Sequence, residues 1–200
     1  MDAARALVES HSFGTLVALP PGAEPEITHV PFVLDRGEPF GRLRAHVARP
    51  NSIAAMLAHP LPVVAIFVGA HAYVTPRWYE HPESSVPTWN YAAVHVHGIA
   101  RRMENEPEVL ALLRDLTAGQ EAGAPEPWTL DRLAPERREA LVGGIVAFGI
   151  EVTCVKAKRK LSQNRGVGDR VGVVAGLRAR GGPGDAALAA LMVEDEPARR

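Results

Sequence analysis

Residues 86–98 read VPTWNYAAVHVHG, and the second half of this stretch alternates between small apolar residues and histidines. Successive side chains of a β-strand point to opposite faces, so His95 and His97 share one face and the apolar residues share the other. Upstream, residues 62–75 read PVVAIFVGAHAYVT, a run rich in Val, Ile and aromatic residues that predicts a long, largely buried strand. Both segments therefore indicate a β-rich fold.

The rest of the chain repeats strand patterns and inserts a few short helices between them. Strand patterns occur in HSFGTLVAL, EITHVPFVLD, RLRAHVA and IVAFGIEVTC. Helical patterns occur in SIAAMLAH, where Asn51 can cap the first turn, in residues 106–120 and in PERREALVGG. Because strands and helices do not alternate regularly, the order favours an antiparallel β-barrel over a doubly wound sheet. The predicted class is mainly β with short peripheral helices.

Composition indicates a folded protein with no overall electrostatic affinity for nucleic acid. The 200 residues suit one domain with appendages, and 46% hydrophobic with 22% charged residues is ordinary for a globular chain. A net charge of -1 lacks the basic excess of a DNA-binding protein. The N-terminus lacks a leader pattern and no apolar run approaches the roughly 20 residues of a membrane span, so we expect a cytoplasmic protein.

The single cysteine, Cys154, excludes an internal disulfide and any zinc site built from several thiolates. It follows Phe148 and Ile150 at alternate positions of a strand pattern, so we expect it to be buried.

His95 and His97 project to one face as two metal ligands could, but the local sequence supplies no third ligand. Structural or cofactor-lining histidines remain the alternative, and we predict no metal.

A cationic strand face offers a candidate phosphate site. In RLRAHVARPN, Arg44 and His46 lie on the face opposite the apolar residues, and the strand runs into the helix start at Asn51. Unpaired backbone N–H groups at a helix start, together with Arg44, His46 or Arg49, could hold a phosphate. A solvated strand face that ends in an ordinary helix cap explains the same pattern.

The basic segment KAKRKLSQNR, residues 156–165, has three alternatives: a solvated face, a nucleic-acid patch or a phosphate clamp. Its Ser162, Gln163 and Asn164 add hydrogen-bonding groups that suit a small polar ligand. The sequence contains no helix-turn-helix with a basic recognition helix and none of the GxGxxG, GxxxxGK[ST], GxSxG or HExxH motifs.

Taken in order, SFGTLV, THVPF, HVARPN, AYVTPRWY, VPTWNYAAVHVHG and KAKRKLSQNR resemble the PaiB-type FMN-binding family, whose members are often named negative transcriptional regulators. The resemblance covers roughly residues 12–178 and implies a split barrel related to pyridoxamine-phosphate oxidases, assembled as a homodimer with FMN at the interface. It implies an FMN-binding split-barrel domain over residues 1–165 and a C-terminal helical extension over residues 166–200.

The resemblance also implies a set of cofactor-binding residues. The phosphate would lie near His46, Arg49 and Asn51, to which the cationic strand face adds Arg44. The isoalloxazine ring would lie along the strand of Thr28 and His29, and the partner subunit would contribute Trp89, Asn90, Tyr91 and His95. The segment from Lys160 to Arg165, with Lys160 and Gln163 as cofactor-binding residues, would close the site. Family members usually begin with a segment resembling MYxPxxF before the first helix. The present sequence starts at that helix, so we expect a more open site.

Three functions follow from these patterns. The leading one is an FMN-dependent oxidoreductase acting on a small molecule, or a flavin-linked negative transcriptional regulator. The first alternative is a DNA-binding regulator without catalysis that uses residues 156–165. The second is a haem- or metal-binding protein that uses His95 and His97.

Overall fold

The computed structural model describes residues 1–195. Within them lie seven strands: β1 (Phe13–Ala18), β2 (Glu26–Pro31), β3 (Val33–Asp35), β4 (Arg42–Ala48), β5 (Leu61–Val74), β6 (Thr88–Arg102) and β7 (Ile145–Lys160). The same residues form six α-helices: α1 (Asp2–Ser10), α2 (Ser52–Met56), α3 (Glu106–Glu121), α4 (Pro135–Gly143), α5 (Val167–Arg180) and α6 (Asp185–Glu194).

All seven strands belong to one sheet in the order β2-β1-β5-β6-β7-β4-β3. β1 pairs antiparallel with β2 and β5, and β4 pairs antiparallel with β3 and β7. These antiparallel pairs distinguish the sheet from one built of βαβ units, whose strands are parallel. The prediction of a mainly β, antiparallel fold with short helices is confirmed.

The chain divides into two compact units that share the long strands. The first unit comprises residues 1–67 and 95–156, and the second comprises residues 68–94 and 157–200, of which residues 196–200 lie outside the described part.

In the first unit, the inward positions of the strands form the core. Leu43 and Ala45 of β4 and Phe148 and Ile150 of β7 are fully buried, because alternate residues of paired strands point to the same side. α3 covers part of the sheet through Val109 and Leu112, which pack with Met103 and Ala147.

In the second unit, the two C-terminal helices pack together with the end of β5. Val173, Leu177, Leu188 and Met192 form a buried cluster with Ala72, Val74 and Tyr79. Asp185 at the start of α6 is almost fully buried and accepts two hydrogen bonds from the Arg180 guanidinium. This pairing lowers the pKa of the Asp185 carboxyl, so the buried group stays ionised.

The structure corrects two expectations about β7, its length and the burial of Cys154. The strand pattern IVAFGIEVTC ends at Cys154, whereas β7 extends to Lys160, so the first half of the basic segment is strand. The expectation that Cys154 is buried was wrong, because from Glu151 onward β7 is largely exposed on both faces in the single chain. No helix among residues 1–195 combines the length and the apolar character needed to cross a membrane.

Candidate functional site

A direct hydrogen bond joins β2, the strand predicted to lie along the isoalloxazine ring, to the residue that precedes α2. Asn51 Nδ2 donates to Thr28 Oγ1 at 3.1 Å, and Asn51 Oδ1 accepts from the backbone N–H of Ile53 at 3.0 Å. Asn51 therefore caps α2 as predicted and also ties the helix to β2. α2 has only five residues, so its dipole adds little. The arrangement brings Thr28 and Asn51 together as one polar corner.

Arg49 lies two residues before Asn51 and is exposed but anchored. Its Nε donates to the Gly143 carbonyl at 2.7 Å, its Nη2 donates to the Ile145 carbonyl at 3.3 Å, and its backbone N–H donates to the Gly144 carbonyl. A guanidinium carries five N–H donors, so further donors remain for an anion that approaches from solvent. A fixed, incompletely used guanidinium suits phosphate recognition.

The Arg44 guanidinium, unlike that of Arg49, is not free to bind an anion from solvent. Its guanidinium is buried and pairs with Asp35 of β3 and, at 2.7 Å, with Asp115 of α3. These carboxylates, Asp35 first, raise the pKa of the Arg44 guanidinium above its ordinary value. The described contacts give Arg44 the role of fastening α3 and β3 to β4, so the predicted cationic face is not one continuous anion site.

His46, the next residue on that face, is half-buried. Its Nδ1 is buried and has no hydrogen-bond partner among the described residues. Burial lowers the pKa of the His46 imidazole, so the ring is neutral at neutral pH. The ring lines a cavity against α3 with Leu113 and Leu116, and no described contact joins it to Arg49 or Asn51. Its predicted role in phosphate binding stays a prediction.

An exposed aromatic pair lies on β1 and the edge strand β2, on the face of β2 opposite to Thr28. The rings of Phe13 and His29 stack at 6.3 Å with an interplanar angle of 26°, and Phe13 is 68% exposed. Ile27, two residues before His29, is 61% exposed. This apolar and aromatic edge can accept a flat ring system or a second protein chain.

In the second unit, Trp89 belongs to a group of exposed aromatic side chains. Its ring centroid lies 6.3 Å from those of His71 and Tyr73, which occupy alternate positions of β5. Trp89 is 54% exposed and Tyr73 40%. Sequence reasoning missed Tyr73 because β5 was expected to be largely buried. The two-residue spacing of His71 and Tyr73 in the strand pattern could have shown that both side chains lie on one exposed face. Tyr91, two residues after Trp89, is half-buried.

Asn90 points to the opposite side of β6 and is fully buried. Its Nδ2 donates to Ser162 Oγ at 2.9 Å and approaches Met192 Sδ at 3.5 Å. Ser162 adopts a left-handed backbone conformation with φ of 61°, which is unusual for a residue with a Cβ. The stretch of residues 86–98 and the basic segment of residues 156–165 are thus joined by a buried side-chain pair. In the single chain Asn90 supports the turn after β7, and its predicted flavin contact stays untested.

The residues of the basic segment are largely engaged within the second unit. Lys160 donates to Thr88 Oγ1, and Arg159 pairs with Asp195. Arg165 lies over the Tyr79 ring at 4.3 Å and pairs with Asp169. The Gln163 amide is also used, since Oε1 accepts from the Leu161 N–H and Nε2 donates to the Arg159 carbonyl. Lys156 and Lys158 are exposed.

The histidine pair on β6 forms no metal centre within the described residues. His95 is exposed and His97 is half-buried, with Nε2 lacking a hydrogen-bond partner among residues 1–195. Burial, and then the charges of Lys156 and His95, lower the pKa of the His97 imidazole. Among residues 1–195, no group of three or more His, Cys, Asp or Glu side chains is arranged to hold a metal ion.

Comparison with known proteins places these features in a family. Residues 1–154 match the profile of the family described as "Putative FMN-binding domain". The chain is 34% identical over 185 residues to protease synthase and sporulation protein PAI 2 of Bacillus subtilis, an alignment that covers 92% of this chain and 87% of the relative. The FMN expectation is thereby confirmed at the level of the family.

Solved structures confirm the split-barrel fold. The FAD and haem binding protein of Mycobacterium smegmatis superposes with a TM-score of 0.60 at 13% identity, covering 90% of this chain and 78% of that one. A conserved hypothetical protein of Mycobacterium tuberculosis superposes with a TM-score of 0.58 at 14% identity, covering 82% and 88%. At these identities the likeness concerns the fold alone.

Proposed function

Because the chain belongs to the PaiB-type family of FMN-binding split-barrel proteins, we propose that it is a flavin-dependent oxidoreductase that works as a homodimer. The observation that carries this proposal is the polar corner of Thr28 and Asn51, which follows the anchored, exposed Arg49 by two residues. The hydroxyl, the amide and the guanidinium of these neighbouring residues supply the donor chemistry that a phosphate ester requires.

The residues of the first unit fit FMN by chemical type. Arg49 and Asn51 would hold the phosphate, and the exposed β2 edge with Thr28 and His29 would border the ring system. Bound FMN would supply hydride or electron transfer to a small molecule, while the protein supplies binding, orientation and electrostatics. Lys160 and Trp89 would complete the site from a second copy.

Exposed apolar surface supports the homodimer. Phe13 and Ile27 in the first unit and Val68 and Trp89 in the second are each more than half exposed. Large apolar side chains concentrated on strands are typical of surfaces that a partner covers. We propose residues 1–165 as the flavin domain and residues 166–200 as a C-terminal extension. The described part of that extension, residues 166–195, holds α5 and α6 and belongs to the second unit together with residues 68–94, while residues 196–200 lie outside the described part.

The engagement of the basic segment argues against a DNA-binding regulator. Of its cations, Arg159, Lys160 and Arg165 each have a partner within the second unit. Only exposed Lys156 and Lys158 remain from that segment for phosphate contacts, and the net charge of the whole chain is -1. A DNA-binding surface usually gathers many more unpaired cations on one face.

Anaerobic reduction of the FMN-loaded protein tests the proposal. We expect NADH or NADPH to bleach the flavin absorbance faster than it bleaches free FMN, and menadione to restore the absorbance. Light scattering should give a dimer mass. Bleaching no faster than that of free FMN, with DNA binding that weakens steeply with salt, would instead support the regulator without catalysis.

A further inference from the structure

A cavity of about 300 Å³ lies in the first unit against the C-terminal half of α3. Its apolar wall is formed by Leu113 and Leu116 of α3, by Pro31 at the end of β2 and by Trp128. The volume lies at the lower end of the range of small-molecule sites, roughly 300–1,000 Å³. A cavity of this size suits one or two fused rings.

Trp128 gives this cavity a flat aromatic surface. Its backbone N–H donates to Glu121 Oε2 at 2.9 Å, which fastens the segment after α3 to the helix. A neighbouring cavity of about 350 Å³ shares Thr117, Glu121 and Trp128 with the first. The Trp128 side chain is 38% exposed and therefore borders open space that a planar ligand can enter.

His46 supplies a polar group without a protein partner. Its ring lines the cavity, and its buried Nδ1 has no hydrogen-bond partner among the described residues. Nδ1 is closed to solvent, so a ligand in the cavity would reach the ring through Nε2, which also has no hydrogen-bond partner among the described residues. Of the other polar side chains of the wall, the Thr117 hydroxyl donates to the Leu113 carbonyl at 2.7 Å and Glu121 accepts from the Trp128 backbone N–H. Gln120 also lines the cavity and is exposed to solvent.

The charge of the lining selects among ligands. Glu121 contributes a carboxylate, and no Lys or Arg is among the residues that line this cavity. An anion such as a phosphate ester would be repelled here, whereas an uncharged ring, or a cation over the Trp128 face, would be accepted. The cavity therefore differs in chemistry from the corner formed by Thr28, Arg49 and Asn51.

We propose that this cavity is a second small-molecule site, distinct from the corner formed by Thr28, Arg49 and Asn51, for a neutral or cationic planar aromatic molecule. One heteroatom of the ligand hydrogen-bonds the His46 ring, and its ring system packs between Trp128 and Leu116. The site requires neither FMN nor a redox step, so it stands independently of the proposed oxidoreductase activity.

Two probes of equal ring size test the proposal. Quinoline is uncharged at neutral pH and carries one hydrogen-bond acceptor, and naphthalene-1-sulfonate is its anionic counterpart. The chain has three tryptophans, and in an NMR spectrum their indole N–H signals show which tryptophan lies next to the bound probe. The Trp128→Phe variant assigns the Trp128 signal. We expect quinoline to shift the Trp128 signal with a dissociation constant on the order of 1 mM, and the sulfonate to bind at least about tenfold more weakly.

Variants separate this site from the flavin site. His46→Phe keeps the ring and removes the hydrogen bond, so quinoline should bind about fivefold more weakly. The matched control is His59→Phe at an exposed histidine, which should bind quinoline as the wild type does. Arg49→Glu, which should weaken FMN binding, should leave quinoline affinity unchanged, and this result separates the two sites.

Three results would overturn the proposal: quinoline shifts confined to Trp78 or Trp89, equal binding of the sulfonate, or unchanged quinoline affinity in folded His46→Phe. If His46→Phe does not fold, Trp128→Leu replaces it, because Trp128 lies in a partly exposed loop. Because Trp128→Leu removes the reporting indole, quinoline binding to this variant is measured by equilibrium dialysis. Loss of binding supports the site, and unchanged binding rejects it.

Discussion

Gly172→Ala in α5 tests how closely that helix packs in the second unit. A Cβ at Gly172 would overlap the Trp78 carbonyl oxygen, well inside the 3.0 Å that real Cβ atoms respect. Alanine should favour the helix by about 1 kcal/mol, whereas overpacking costs about 1–3 kcal/mol. The blocking atom is backbone and cannot rotate away, so the cost should lie at the upper end. We expect a net loss of about 2 kcal/mol in the free energy of unfolding.

The measurement is urea unfolding followed by circular dichroism and tryptophan fluorescence, together with a melting curve. A loss of this size lowers the melting temperature by about 4–8 °C in a chain of this length. Gly119→Ala in α3 is the matched control, because a Cβ there meets nothing within 4 Å. It should gain up to about 1 kcal/mol. A Gly172→Ala protein as stable as Gly119→Ala would refute the close packing of α5 on Trp78.

Three further outcomes can be measured. Arg49→Glu should weaken FMN binding, followed by fluorescence quenching, at least about tenfold, whereas the exposed Arg137→Glu on α4 should not; equal affinities would place the phosphate elsewhere. Asn90→Ala leaves the buried Ser162 hydroxyl without its hydrogen-bond partner and should lower the free energy of unfolding, measured in urea, by about 1–3 kcal/mol. An unchanged free energy of unfolding would show that the pair has no structural role. Because burial lowers the folded-state pKa of His46, the unfolded state binds more protons, so stability should fall as pH drops below about 6.5, and His46→Phe should reduce that slope.

Local patterns predicted much of the fold. The alternation in residues 86–98 and the apolar run that became β5 predicted strands, and Asn51 was correctly identified as the cap of α2. These features depend on a few neighbouring residues, and the ordered motifs identified the family and its cofactor. The prediction that Cys154 is buried was wrong, because strand alternation defines the face on which a residue lies but not whether another element covers that face.

The sequence by itself determined the strand pattern, the helix cap and the membership of an FMN-binding family. Tertiary structure decided which polar residues meet. Two carboxylates from β3 and α3 fasten Arg44, Ser162 satisfies Asn90, and His46 lines the α3 cavity. These partners lie between 9 and 72 positions apart along the chain. Only the packing of distant elements brings such partners within hydrogen-bond distance, so local periodicity carries no information about which donors stay available to a ligand.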